Sequence, residues 1–245
     1  MISVPERYGS TFYRSLLSAQ GKSFYDRILA HFLQKRYESM ISVTITDGAK
    51  AFEDAFEAFR AVKDDHPEFF WLGHECKMIK HIGAGFIKPQ VLYKRDRIER
   101  FQLVLKRTVK ELLRDTEYRD FRTGQKKVYE RIARRLTYTD SNDASEHNLV
   151  GPVLMSKGVC EGCNALLMVC LRTLGIPCIK VYGRSLRDTA HCWCMVWLDG
   201  KPSHCDVTWD IPVDGIVRFH YFNVSDRKIS KDHFCFRQSY LPVCS

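Results

Sequence analysis

Three residue types that can do acid, base and nucleophile chemistry occur in one stretch of the sequence, residues 158–210. Cys160 lies in the run GVCEG (158–162), His191 in HCWC (191–194), and Asp206 in DVTWD (206–210). A cysteine can act as a nucleophile, a histidine as its base, and an aspartate as the group that orients the histidine. The order and the types together indicate thiol chemistry, if the three side chains meet.

The cysteine is predicted to open a helix. Apolar residues recur with helical spacing at positions 166, 167, 170, 171 and 174, and GIP (175–177) ends the run. Unpaired N–H groups and the helix dipole stabilise an anion at a helix N-terminus. A thiol placed there has its pKa lowered from about 8.5. Cys160 is therefore a predicted thiolate.

The histidine and the aspartate are predicted to lie on one β-hairpin. Segments 190–198 and 203–209 are rich in aromatic and β-branched residues, and Asp199-Gly200 between them is a strong hairpin signal. With these two as the turn, the expected pairs are Leu198–Lys201, Cys194–Cys205, Trp193–Asp206 and His191–Thr208. Alternation along the strands then puts His191 and Asp206 on one face, about 7 Å apart at Cβ or less.

The three motifs, in this order, resemble the transglutaminase-like superfamily of papain-type cysteine enzymes. The segments RFHYFNVSD (218–226) with Asp232-His233, and DDHPEFFW (64–71), resemble bacterial members. The resemblance implies that Cys160 is the nucleophile, His191 the base and Asp206 the third member of a triad.

The chain departs from the family pattern beside two of these positions. Members usually have an aromatic residue and then alanine where this chain has Cys163-Asn164, and His-Ala-Trp-Asn where it has HCWC (191–194). The three reacting positions are unchanged. The walls of the pocket, and with them the choice of substrate, are left open.

The resemblance also implies a fold and a reaction. The fold is α+β, a cysteine helix packed on an antiparallel sheet. The reaction is acyl transfer on amide bonds through a thioester, with a protein or peptide as substrate and no cofactor or metal. Hydrolysis of a peptide or isopeptide bond is favoured over transamidation (crosslinking), because the chain is small and shows no recognisable calcium loop.

Composition and periodicity predict the organisation of the 245 residues. An apolar content of 45% suffices for a packed core. Residues 1–120 are predicted to form a mainly helical extension, and residues 121–245 the catalytic core. A helical pattern covers 11–37 and is divided at Gly21. Another helix is predicted between its N-cap Asp47 and Pro67, which ends it, and two more are predicted at 98–113 and 121–136. Short strands are expected at 76–86 and 91–95.

The sequence predicts a cytoplasmic protein. Charged residues and Pro5 interrupt the first ten residues, and the longest uncharged apolar run, 165–171, is too short to span a membrane. Without a secretory signal, the ten cysteines are expected to be reduced. If any two cysteines form a disulfide, the expected pair is Cys194 and Cys205, which face each other on the hairpin.

Three alternatives compete with a triad. Cysteines and histidines at 160, 163, 191, 192, 194, 204 and 205 could hold zinc, although Cys192 and Cys194 would point away from His191. Cys160 and Cys163 could form a redox pair that reversibly blocks the nucleophile. The basic segment 88–135, within a net charge of +9, could make the domain a binding scaffold. Alternating apolar positions favour a solvated helix face there and disfavour nucleic acid as a partner.

Overall fold

In a computed structural model, the described residues are 11–44, 50–81, 84–116, 120–186, 189–236 and 238–245. The chain forms two compact units that divide between Arg100 and Phe101. The predicted N-cap Asp47 and the first ten residues lie outside the described part. The domain boundary at residue 120 stays a prediction.

The N-terminal unit combines helices with a three-stranded antiparallel sheet of order β1-β3-β2. Its elements are α1 Phe12–Ser15, α2 Ala19–Leu33, β1 Ile41–Val43, α3 Lys50–Asp65, β2 Leu72–His81 and β3 Ala84–Val91. The predicted extension thus carries a sheet as well as helices.

Two predictions in this unit were wrong in detail. The helical pattern breaks at Ser18 and not at Gly21, because the Ser18 hydroxyl caps α2 by accepting from the backbone N–H of Gly21 at 2.9 Å. The expected strand at 91–95 is absent among the described residues, since β3 ends at Val91 and a helix begins at Arg95.

The C-terminal unit contains a four-stranded antiparallel sheet of order β8-β7-β6-β9. Its helices are α4 Arg95–Leu112, which begins before the division, α5 Phe121–Arg135, α6 Cys160–Thr173 and α7 Asp226–Ile229. Its strands are β4 Thr137–Tyr138, β5 Lys157–Gly158, β6 Cys178–Ser185, β7 Ala190–Leu198, β8 Lys201–Cys205 and β9 His233–Cys235. A π-helical turn spans Gly151–Met155.

The predicted hairpin is confirmed in its first half. Its ladder runs from Leu198–Lys201 to Cys194–Cys205, with the turn at Asp199 and Gly200, both at positive φ. The two further pairs were wrong, because β8 ends at Cys205 and Asp206 starts a turn. The Asp206 carboxylate accepts from the backbone N–H of Thr208 at 2.9 Å, which bends the chain away from β7.

The core of this unit lies between α6 and the sheet. The fully buried side chains of α6 include Leu166, Leu167, Met168 and Leu171, and β7 is buried from His191 to Leu198. The fold class is therefore α+β, as predicted, with the cysteine helix packed on an antiparallel sheet.

All ten cysteines are free thiols. Cys194 and Cys205 face each other across the hairpin without a bond, and the Cys205 thiol instead donates to Asn223 Oδ1 at 3.0 Å. Among the helices of the described ranges, none is both long and apolar enough to cross a membrane.

Candidate active site

Cys160 is the first residue of α6, and its side chain is only partly buried. Val159 before it is extended and provides no side-chain cap for the helix. The N–H groups of the first turn have no partner within the helix itself, so they present partial positive charge at the thiol. The predicted helix start at the cysteine is confirmed.

The first turn of α6 lies directly against the loop that precedes it. A Cβ on Gly162 would be 2.3 Å from the carbonyl oxygen of Glu146 and 2.8 Å from that of Asn148. The backbone N–H of Val159 donates to the same Glu146 carbonyl at 3.2 Å. Only glycine permits this approach, which explains its place two residues after the cysteine. The loop thereby fixes where the helix begins.

Asn164, one turn further along α6, ties the cysteine helix to the histidine strand. Its Nδ2 donates to the backbone carbonyls of Cys160 and Cys192, at 3.0 Å each. Its Oδ1 accepts from the Cys194 thiol at 3.6 Å. Three of the residues at which the chain departs from the family pattern, Asn164, Cys192 and Cys194, are therefore connected by hydrogen bonds.

His191 and Asp206 meet, as the hairpin predicted. His191 Nε2 lies 2.6 Å from Asp206 Oδ2, and both side chains are almost completely buried. His191 is the second residue of β7, and Asp206 follows the last residue of β8. Asp206 Oδ1 accepts from the backbone N–H and the hydroxyl of Thr208, at 2.9 and 2.5 Å. The carboxylate is thus held at both oxygens.

Asp206 is ionised in this setting. Burial by itself raises the pKa of its carboxyl, but hydrogen bonds from His191 and His233 override burial and hold that pKa well below its usual range. For His191, burial lowers the pKa, whereas the hydrogen bonds with Asp206 and Cys160 raise it to about 10. The imidazole is therefore protonated at neutral pH.

The groups that act on the Cys160 thiol are Cys192 and His191. Both contacts lower the pKa of Cys160 below that of a free thiol, against the opposing effect of burial. Because His191 Nε2 is engaged by Asp206, Nδ1 is the ring nitrogen left to face the sulfur. The negative charge belongs on Cys160, since burial and the neighbouring Cys160 raise the pKa of Cys192. The pair is a thiolate and an imidazolium.

Tyr129 on α5 supports the aspartate from behind. Its hydroxyl lies 2.7 Å from the backbone carbonyl of Asp206 and 2.7 Å from Asp210 Oδ2, and the residue is fully buried. Asp210 in turn accepts from the backbone N–H groups of His220 and Tyr221, at 2.8 and 2.9 Å. These bonds fix the turn of residues 206–210. The helical pattern of α5 carries no signal for this role.

A second histidine also reaches Asp206. His233, the first residue of β9, has Nε2 at 3.0 Å from Asp206 Oδ2 and Nδ1 at 2.6 Å from Asp232 Oδ1. The sequence assigns His233 no role, because Asp232-His233 enters only through the resemblance to bacterial members. β9 lies beside β6 and not beside the hairpin, so spacing along the sequence could not place His233 in the site.

Clusters that could hold a metal differ from the residues of the zinc alternative. Two such groups of the described chain are His191 with Asp206 and His233, and His204 with Asp226 and Cys244. In the second, the Trp193 indole donates to His204 Nδ1 at 2.9 Å, so neutral His204 carries its proton on Nε2, which faces Asp226 at 2.8 Å. A metal on Nε2 would have to displace this proton and leave a ring with no N–H, which disfavours the site.

The surroundings of Cys163 do not support a redox pair between Cys160 and Cys163. Its side chain is fully buried and lies against Gly158, and burial raises the pKa of its thiol. The thiol that hydrogen-bonds to Cys160 is that of Cys192.

One protein-family model matches the part of the chain that contains this site. Residues 107–207 match the model of the transglutaminase-like superfamily, a range that includes Cys160, His191 and Asp206. This part of the chain matches the family that the sequence motifs resemble.

Two solved structures are similar to the chain at low identity. One is described as a TGase, with 14% identity, a TM-score of 0.39, and coverage of 79% of this chain and 55% of the other. The second is a proposed cysteine protease from Cytophaga hutchinsonii, with 12% identity, a TM-score of 0.38, and coverage of 58% and 64%. The chain thus spans less than two thirds of either protein. A comparison with curated protein sequences gives no match.

Proposed function

We propose that this protein is a cysteine-dependent acyl-transfer enzyme that acts on amide bonds, with Cys160 as nucleophile, His191 as acid and base, and Asp206 as the orienting carboxylate. The observation that carries the proposal is the buried 2.6 Å contact of His191 with Asp206, beside a Cys160 thiol whose pKa is lowered by Cys192 and His191. A merely structural cysteine in a buried setting would have a raised thiol pKa, as Cys170 and Cys178 do.

Acylation follows from the charge states of the pair. The Cys160 thiolate attacks the carbonyl carbon of the amide, and the carbonyl oxygen takes up the negative charge. His191, already protonated, gives its Nδ1 proton to the nitrogen of the departing amine as the C–N bond breaks. Asp206 keeps the ring oriented and stabilises its positive charge. The product is a thioester on Cys160 and a free amine.

The start of α6 offers stabilisation to the oxyanion. Its first N–H groups face the thiol end of the helix, and a donor aimed at a developing oxyanion contributes about 10²-fold or more in rate. Deacylation reverses the proton flow: neutral His191 removes a proton from the acceptor, which attacks the thioester and releases the thiolate.

We infer that water is the acceptor and that the substrate is a peptide or isopeptide bond. The alternative acceptor is a primary amine, which would give transamidation of a glutamine side chain. Both reactions pass through the same thioester on Cys160, so they are distinguished by their products and not by the nucleophile. Location inside the cell also remains a prediction.

Site-specific labelling tests the nucleophile. The protein is treated with a small thiol-directed electrophile at graded pH, and each cysteine is quantified by mass spectrometry. Cys160 should react fastest and at a pH well below that needed by Cys235, a matched half-buried thiol whose pKa burial raises to about 11. Equal reaction of Cys160 and Cys235 over the whole pH range would contradict a catalytic thiolate.

Product analysis tests the reaction. A peptide library and lysine-linked isopeptides are incubated with the protein, with and without a tagged primary amine, and the products are identified by mass spectrometry. New carboxylates that Cys160→Ala does not produce indicate hydrolysis, and a Cys160-dependent amine adduct indicates transamidation. Salt-sensitive nucleic-acid binding that is indifferent to Cys160→Ala, with no product, would instead favour a scaffold with the basic segment 88–135 as its surface.

A further inference from the structure

The imidazole of His233 lies between two carboxylates. Nε2 is 3.0 Å from Asp206 Oδ2, and Nδ1 is 2.6 Å from Asp232 Oδ1. The residue is 2% exposed, so water does not take the place of either contact. Each ring nitrogen of a buried histidine thus faces an acceptor.

The number of available protons decides the state of this ring. Asp206 is ionised and only accepts, so Nε2 of His233 carries a hydrogen, as does Nε2 of His191 on the same oxygen. A second proton lies between His233 Nδ1 and Asp232. The other oxygen of Asp232 already accepts from the Tyr221 hydroxyl at 2.5 Å, a bond that stabilises the ionised carboxylate. Both oxygens of Asp232 are thereby engaged, and each ring nitrogen of His233 faces a carboxylate oxygen.

We propose that His233 is a positively charged positioning residue that anchors Asp206 and shares its carboxylate with His191. The inference rests on the proposed function, because it concerns the same triad. His233 is not hydrogen-bonded to His191, the histidine beside the Cys160 sulfur. It acts on His191 through Asp206. By competing for Oδ2, it limits how strongly Asp206 holds the proton on His191, and so favours proton transfer to the leaving amine.

The surroundings suit a buried cation. Both negative partners, Asp206 and Asp232, lie within hydrogen-bonding distance, and the rings of Trp193 and Trp209 pack at centroid distances of 4.9 and 4.5 Å. Aromatic rings attract cations and keep water from the carboxylates. Other titratable groups also face the His233 ring. The rings of Tyr221 and His191 lie at centroid distances of 5.3 and 5.2 Å, and His204 interacts with His233 through charge.

The charge is tested directly by imidazole ¹⁵N NMR on the full chain at pH 7.5. The expected result is a His233 ring with both nitrogens protonated. A neutral tautomer with one bare nitrogen would overturn the proposal.

The effect on the triad is tested with His233→Gln, in which the amide nitrogen can still donate to Asp206 but carries no charge. The acid limb of Cys160 alkylation and the alkaline limb of turnover should both move to higher pH, by about half a unit or more, because a nearby positive charge is lost. The matched control is His204→Gln, a buried histidine on β8 that is bonded to Asp226 instead, whose profile should keep both limbs.

A second variant covers the case in which His233→Gln does not fold. Asp232→Asn keeps the histidine but removes the outer carboxylate, which is partly exposed and tolerates a neutral amide better. Its limbs should shift in the same direction as those of His233→Gln, and limbs identical to those of the unmodified protein would refute the positioning role. The inference can fail alone: a reactive Cys160 beside a neutral His233 contradicts it and leaves the proposed function intact. An inert Cys160 beside a doubly protonated His233 contradicts the function instead.

Discussion

The side-chain amide of Asn164 on α6 donates a hydrogen bond to the backbone carbonyl of Cys192 on β7, over 3.0 Å. The same nitrogen donates to the carbonyl of Cys160. One buried amide thereby sets the distance between the element that carries the thiol and the element that carries the histidine. A packed apolar residue could fill this volume, but it could not fix the two backbones in register.

Asn164→Leu tests this connection. Leucine has a similar volume but leaves the Cys192 carbonyl buried without that donor, which costs about 1–3 kcal/mol in the free energy of unfolding. The rate of Cys160 alkylation should fall about tenfold as the thiol and His191 lose their alignment. Urea unfolding and timed labelling measure the two effects. The exposed Asn142→Leu should change neither, and an unchanged Asn164→Leu would show that the amide does not align the site.

Turnover should depend on pH in a bell shape. The thiol pKa is lowered by Cys192 and His191, so the thiolate is present below the free-thiol value of about 8.5 and is lost only as pH falls further. His191 has its pKa raised to about 10, so the imidazolium that protonates the leaving amine is lost as pH rises through that value. Turnover should therefore be flat across neutral pH and decline at both ends.

His191→Ala should move the acid limb of alkylation to higher pH, because the positive neighbour that stabilises the thiolate is gone. At pH 6 the labelling rate should fall by about tenfold or more, and near pH 10 it should approach that of the unmodified protein. The control His31→Gln alters a buried histidine of the N-terminal unit. A shift of equal size in both variants would mean that the histidine beside Cys160 has no special effect.

Gly162→Ala should disrupt the start of α6. The added Cβ would lie 2.3 Å from the Glu146 carbonyl oxygen, and because the neighbour is backbone, the loop must move. Overpacking of this kind costs about 1–3 kcal/mol. Labelling of Cys160 should slow with it. Gly21→Ala is the matched control, since it is also a glycine in the first turn of a helix, but its Cβ meets the side chain of Leu17 at 3.2 Å. Equal losses of stability in both variants would show that the loop contact is unimportant.

The sequence could predict the parts of the site whose geometry is local. A helix that begins at Cys160 follows from apolar spacing, and the approach of His191 to Asp206 follows from a two-residue turn, which fixes the register. Both depend on contacts among residues less than twenty positions apart. The prediction went wrong where the ladder ends, because the Asp206 side chain bonds locally to Thr208 in place of the strand.

The remaining parts depend on contacts between distant segments. Tyr129 reaches Asp206 and Asp210 across about eighty positions, and His233 arrives on a strand that pairs with β6. No periodicity within one segment records such a meeting. The role of Asn164 depends on its hydrogen bond to the carbonyl of Cys192, a residue 28 positions away that also departs from the family pattern.

Tyr129→Phe isolates the hydroxyl that supports the aspartate turn. The phenyl ring keeps its packing on Phe222, at 4.9 Å between centroids, while the bonds to the Asp206 carbonyl and the Asp210 carboxylate are lost. Because Asp210 is buried and loses a donor, the free energy of unfolding should fall by about 1–3 kcal/mol. Turnover should drop more than Cys160 labelling, since labelling needs only the thiolate, whereas turnover also needs Asp206 to hold the His191 ring through the whole cycle. Tyr240→Phe, at an exposed tyrosine, serves as the control. If turnover and labelling fell in parallel, the hydroxyl would be supporting the fold of the unit and not the position of the carboxylate.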